Sequence, residues 1–261
     1  MPAYRGAVLA PWPNRLANGA YEFDGIAYAV PTNEAIRRTA LHGLVAFAPF
    51  TMVHHDGRSV TLACVIDASD AFPTEVTLTV TYSINTGGLT VIFRAHNSGG
   101  ASAPYGCSIH PYLVAGSDSM DDWTLVLDAN EVMLVDDERL LPLSVETVDG
   151  TTFDFRLPRK IGRTAIDNAY RGVDPERREL TLLSSLGGGV KMSWGPECPW
   201  VQLHTADRLG PIPGQPPLDG HRAGLAVEPM TCPPDAFNSG IDVVHLAPGE
   251  THEARWLISA I

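Results

Sequence analysis

The chain has 261 residues, with 18 Lys and Arg against 30 Asp and Glu, for a net charge of −12 at neutral pH. Such a surface repels nucleic acid and anionic membranes and is indifferent to a neutral ligand. Hydrophobic residues make up 44% and charged residues 18%, a balance that allows a large core and argues against disorder.

The 24 Gly and 21 Pro punctuate the chain at short intervals and favour many strands and turns over long helices. Residues 21–30 read as a hairpin around Asp24-Gly25. A strand at 60–66 follows. Residues 75–84 alternate, with Val76, Leu78, Val80, Tyr82 and Ile84 on one face, and 89–96 return after a turn. Further strand-like runs are 123–127, 131–135, 180–184, 190–194, 200–204 and 254–261. No segment sustains a helical period. The proline-rich stretch 210–220 reads as a long ordered loop within one core. The expected architecture is all-β: one large antiparallel β-sandwich forming a single domain over residues 1–261.

Cys64, Cys107, Cys198 and Cys232 lack the spacing of a zinc site or redox pair and read as buried thiols. No apolar run is long enough to span a bilayer, and the N-terminus lacks the basic and apolar regions of a signal peptide. The expected location is cytoplasmic, with no membrane or nucleic-acid partner.

Four segments place polar groups among Pro, Gly and aromatics: Pro11-Trp12-Pro13-Asn14-Arg15, Leu41-His42-Gly43, His110-Pro111-Tyr112 and Val227-Glu228-Pro229. Asp167-Asn168-Ala169-Tyr170 is a weaker fifth. Each has a plain structural alternative. Arg15 suits a structural ion pair, His42 a turn cap, His110 a strand end before proline, Glu228 a solvated strand end and Asp167 a turn. Singly, each plain reading has the better odds.

Together and in this order, the segments resemble the aldose 1-epimerase, or galactose mutarotase, family. The resemblance rests on Asn14-Arg15 with Gly19 and Phe23-Asp24-Gly25, then Leu41-His42-Gly43, then His110-Pro111-Tyr112. It continues with Asp167 before Tyr170, Gln202 in a late strand, Glu228-Pro229, and Pro234-Asp235-Ala236-Phe237-Asn238. It covers nearly the whole chain from about Gly6, and the Asn-Arg hairpin and the Glu-Pro block are its most specific parts. Leu44 stands where many members have a second Gly, and Pro104 to Ile109 departs from the best-known galactose enzymes. These departures bear on sugar preference more than on chemistry.

The resemblance implies an isomerase that interconverts the α and β anomers of a free aldohexose by ring opening and reclosure. Opening takes a proton from the C1 hydroxyl while another reaches the ring oxygen. The family pattern assigns Glu228 as general base and His110 as general acid, and implies that Arg15, His42 and Asp167, with Asn14 and Gln202 as auxiliaries, hold sugar hydroxyls. His110 is then expected to start protonated, its pKa held up by a nearby carboxylate. No metal or cofactor is expected. Trp12, Tyr112 and Trp200 are candidates to stack on the sugar, with core packing the equal alternative.

Two other readings stay open. A hexose-6-phosphate mutarotase needs a basic clamp, for which Arg37-Arg38 is the candidate. A non-catalytic sugar-binding module does not need an acid and a base together. The family pattern also places a few strands ahead of the Asn-Arg motif, whereas Asn14 follows Met1 almost at once. The expectation is a sandwich lacking its first strands, with an unpaired apolar edge near residues 7–10 that either leaves the chain less stable than its relatives or is covered in a homodimer.

Overall fold

The structure, a computed structural model, describes residues 2–207 and 220–261. Two antiparallel sheets dominate. A nine-stranded sheet runs in the order Arg159–Lys160, Thr124–Leu127, Glu179–Leu183, Gly189–Trp194, Thr251–Ala260, Gly88–Asn97, Val76–Asn85, Ser59–Ile66 and Thr51–His55. A six-stranded sheet runs Tyr112–Leu113, Leu225–Met230, Trp200–His204, Asp167–Arg171, Glu131–Val135 and Pro142–Thr147. The all-β reading therefore holds. The single α-helix among the described residues is the short Ala236–Ser239. No helix of the described residues is long and apolar enough to cross a membrane. The proline-rich stretch 210–220 falls almost wholly outside the described residues.

The main core forms because alternating strands turn one face of each sheet inward. Leu78, Phe93 and Trp256 from the larger sheet and Tyr170, Val201, Leu203 and Val227 from the smaller one belong to one buried cluster. The alternation read at 75–84 holds for Val76, Leu78 and Val80, which are buried. It fails at the strand's end, where Ile84 is 61% exposed. Cys107, Cys198 and Cys232 are buried and Cys64 is partly so, all unpaired.

The expected bare edge near the start is not found there. Val8–Leu9 pairs with Ser108–Ile109, Ala10 bridges Gly43, and residues 7–10 are buried within the one chain. The open edge of the nine-stranded sheet is instead Thr51–His55, exposed at every position and bonded on one side only. A register shift between Met52 and His54 interrupts it, as edge strands often are interrupted.

Candidate active site

The Asn-Arg and Leu-His-Gly segments are two halves of one clasp. Arg15–Ala17 pairs with Thr39–Leu41. At the end of this ladder Asn14 and His42 both adopt positive φ, and the Asn14 carbonyl accepts from the His42 N–H at 2.8 Å. In return the Asn14 N–H donates to His42 Nδ1 at 3.2 Å. Gly43 is required beside them, because a Cβ there would sit 2.0 Å from the Ala10 carbonyl oxygen at a φ of +72°. The Pro-Asp-Ala-x-Asn segment pins the same strand. The Asp235 N–H donates to the Arg15 carbonyl at 2.8 Å, and its carboxylate accepts from the Ala17 N–H at 2.9 Å.

The remaining groups hang from the smaller sheet. Glu228 faces Gln202 across the register of Leu225–Met230 and Trp200–His204, and Asp167 faces His204 one strand further on. The segment carrying His110 is stitched to the Glu228 strand by Ser108 Oγ, which donates to the Pro229 carbonyl at 2.8 Å, and by the Val227 N–H to the Pro111 carbonyl at 3.2 Å.

All seven residues singled out from the sequence line one cleft of about 470 Å³: Asn14, Arg15, His42, His110, Asp167, Gln202 and Glu228. Leu41, Tyr112, His204, Ala3 and Tyr4 complete the wall. His110 Nε2 lies 3.3 Å from Glu228 Oε1, with side chains 5% and 2% exposed. The imidazole stacks on Tyr112 at 5.2 Å and lies 6.2 Å from the near-parallel Tyr4 ring. Of the candidate stacking aromatics only Tyr112 reaches the cleft. Trp12 and Trp200 are buried in side clusters, their indole N–H groups bonded to the Ala40 carbonyl and to Asp242.

Arg15 is fixed by two bonds from its guanidinium to Glu34, at 2.9 and 3.2 Å, and lies 3.9 Å from Asp167. Burial alone would raise the Glu34 pKa, but the bonds from Arg15 more than offset it and lower it. Gln202 Nε2 donates to Asp167 Oδ1 at 2.7 Å. Sequence reasoning missed Glu34, Tyr4 and His204. For His204 a signal existed, since it lies two residues after Gln202 in a strand and shares its face.

The protonation pattern differs from the expectation. Burial pushes the His110 imidazole down to about 3, and burial followed by the charge of Asp167 pushes the Glu228 carboxyl well up. Burial thus favours a carboxylic acid beside a neutral imidazole over a carboxylate beside an imidazolium. The adjacent carboxylate cannot raise His110 as expected, because burial on both sides favours the uncharged pair. The two patterns contain the same number of protons and differ by the position of one across the 3.3 Å contact.

His42 is also neutral, its pKa driven well down by burial and then by the neighbouring His110 and Arg15. Because its Nδ1 accepts from Asn14, the proton sits on Nε2. His42, His110 and Glu228 bring ligand-type atoms within 4.8 Å of one another. As placed, however, His42 offers the cleft a donor rather than the lone pair a metal ion needs. The donor set suits hydroxyls better than a cation.

The sequence pattern of the aldose 1-epimerase family matches residues 1–259. The chain belongs to this family. It is 37% identical to the uncharacterized protein YihR of Escherichia coli over 251 residues, covering 96% of this chain and 77% of that protein. It is 27% identical to the human galactose mutarotase over 269 residues, covering 96% and 77%. In fold it is similar to the aldose epimerase homologue from C. elegans, with a TM-score of 0.84 at 22% identity, over 100% of this chain and 83% of the other.

Proposed function

We propose that this aldose 1-epimerase family member is a mutarotase acting on free aldohexoses, with Glu228 and His110 exchanging the protons of ring opening. The observation that carries the reading is the buried contact between these two groups at 3.3 Å, in a cleft walled by hydroxyl donors and acceptors.

The proton count is what the reaction needs. In its charged form the pair presents a carboxylate that takes the C1 hydroxyl proton and an imidazolium that protonates the ring oxygen as the C1–O5 bond breaks and the C1 carbonyl forms. The product state is a carboxylic acid and a neutral imidazole, the pattern that burial favours. After rotation about C1–C2 the same two groups return the protons and close the ring on the other face. A sugar hydroxyl donating to the buried Glu228 Oε2, which has no hydrogen-bond partner within the protein, draws the pair toward its charged form. Arg15 acts in the same direction, since its charge lowers the Glu228 pKa.

The phosphate reading is weaker. Arg37 lies 3.4 Å from Glu34, and neither Arg37 nor Arg38 lines the cleft. A pure binding module leaves the paired acid and base without a use. Polarimetry of freshly dissolved α-glucose and α-galactose tests the proposal: equilibration should run far ahead of buffer without added metal. Equilibration no faster than buffer across a panel of aldohexoses refutes it.

A further inference from the structure

We infer that His204 is a substrate-recognition residue: it and Asp167 together bind one ring hydroxyl of the sugar, other than the anomeric one. The inference rests on the reading of the cleft as an aldohexose site. His204 Nδ1 is buried and has no hydrogen-bond partner, and it lies 3.8 Å from Asp167 Oδ1. That separation is too long for a direct hydrogen bond and suits one oxygen seated between the two atoms.

The chemistry selects a hydroxyl for that seat. A carboxylate oxygen only accepts, and an imidazole nitrogen that carries its proton donates. The bridging group must donate on one side and accept on the other, as a hydroxyl does and a methylene cannot. Gln202 fixes the geometry, because its Nε2 already holds Asp167 Oδ1 at 2.7 Å. Gln202 is 3% exposed, and its Oε1 is a second unpartnered acceptor on the same wall. The position on the ring follows from the sheet. The Glu228 and Asp167 strands flank Trp200–His204, and neighbouring strands stand about 4.8 Å apart. With Glu228 at C1, the Asp167–His204 pair lies a sugar's width away, so it meets a different hydroxyl.

The test is isothermal titration of glucose and of its 2-, 3-, 4- and 6-deoxy analogues into the wild-type protein and into His204→Leu and His204→Asn. Titration needs no turnover, so it decides the contact even if the protein proves not to be a mutarotase, which polarimetry decides separately. We expect His204→Leu to weaken binding of glucose by roughly ten- to a hundredfold, the value of a buried polar pairing. One deoxy analogue should bind both proteins equally, since it lacks the bridged hydroxyl. His204→Asn, whose side-chain amide sits near the place of Nδ1, should recover part of the loss. Unchanged affinity in His204→Leu, or an equal loss for glucose and every analogue, overturns the assignment.

Discussion

His110→Asn tests the protonation of the site without any substrate. An imidazole whose folded value is lowered contributes stability that is present above its unfolded value and is lost as pH falls toward the folded one. The unfolded value is 6.5 and the folded one about 3. Between pH 8 and pH 5 this single group then takes about 2 kcal/mol from the folded state, at roughly 1.4 kcal/mol for each further unit down to the folded value. Asn cannot titrate and removes that dependence, while buried groups that do not touch His110 contribute alike to both proteins. Urea unfolding of wild type and variant at pH 8 and pH 5 gives the comparison. The stability difference between them should move by about 2 kcal/mol in favour of the variant at the lower pH. If His110 were instead held charged by Glu228, its folded value would lie above 6.5 and wild type would gain on the variant as pH falls. Parallel behaviour, or a shift of that opposite sign, refutes the neutral-pair description.

Other changes probe the remaining parts. His110→Asn and Glu228→Gln should each lower kcat at least about 10²-fold in polarimetric assays, since each removes a proton-transfer group; near wild-type turnover in Glu228→Gln removes the base assignment. The same Glu228→Gln should raise the thermal midpoint at pH 7. A carboxyl whose folded value is raised costs stability increasingly as pH climbs above its unfolded value, and the amide has no such cost. Arg15→Met should raise KM and destabilise the fold by about 1–3 kcal/mol, because it strips two bonds from the half-buried Glu34. Steady-state kinetics and urea unfolding report the two effects. Gly43→Ala should lower the midpoint by several degrees and impair binding, since a Cβ at 2.0 Å from the Ala10 carbonyl forces the clasp apart.

Much of the fold was legible because half-buried antiparallel strands write themselves as alternation and turns. The runs at 131–135 and 200–204 match the observed strands to the residue. The hairpin signalled by Asp24-Gly25 appears as Ala20–Phe23 paired with Ile26–Ala29. The strands Thr39–Leu41 and Thr51–His55 escaped notice for opposite reasons. The first is three residues long and held by its clasp to Arg15, and the second is an exposed edge without a core-facing set of apolar residues. The site was legible as an ordered series of short motifs, and all seven residues taken from them meet in one cleft. Their meeting follows from register, which single motifs do not encode. Gln202 stands opposite Glu228, and Asp167 opposite His204, only because three strands pair as they do.

The proton could not be read from the motifs, because it depends on burial rather than on residue type. A His and a Glu at a solvated strand end would form an ion pair, with each charge supporting the other. Here their side chains are 5% and 2% exposed, and removing two charges from water outweighs their attraction. Burial therefore favours the proton on the carboxyl, and in the proposed mechanism the sugar's own hydroxyls, with Arg15 beside them, supply the polarity that moves it to the imidazole. On this account a ligand with no hydroxyl near Glu228 Oε2 leaves the pair neutral. Titrating wild type with 1,5-anhydroglucitol, which lacks the C1 hydroxyl, should leave the His110 ring resonances of the neutral form unchanged. Glucose should shift them toward the imidazolium. Identical spectra with both ligands would show that substrate does not drive the transfer.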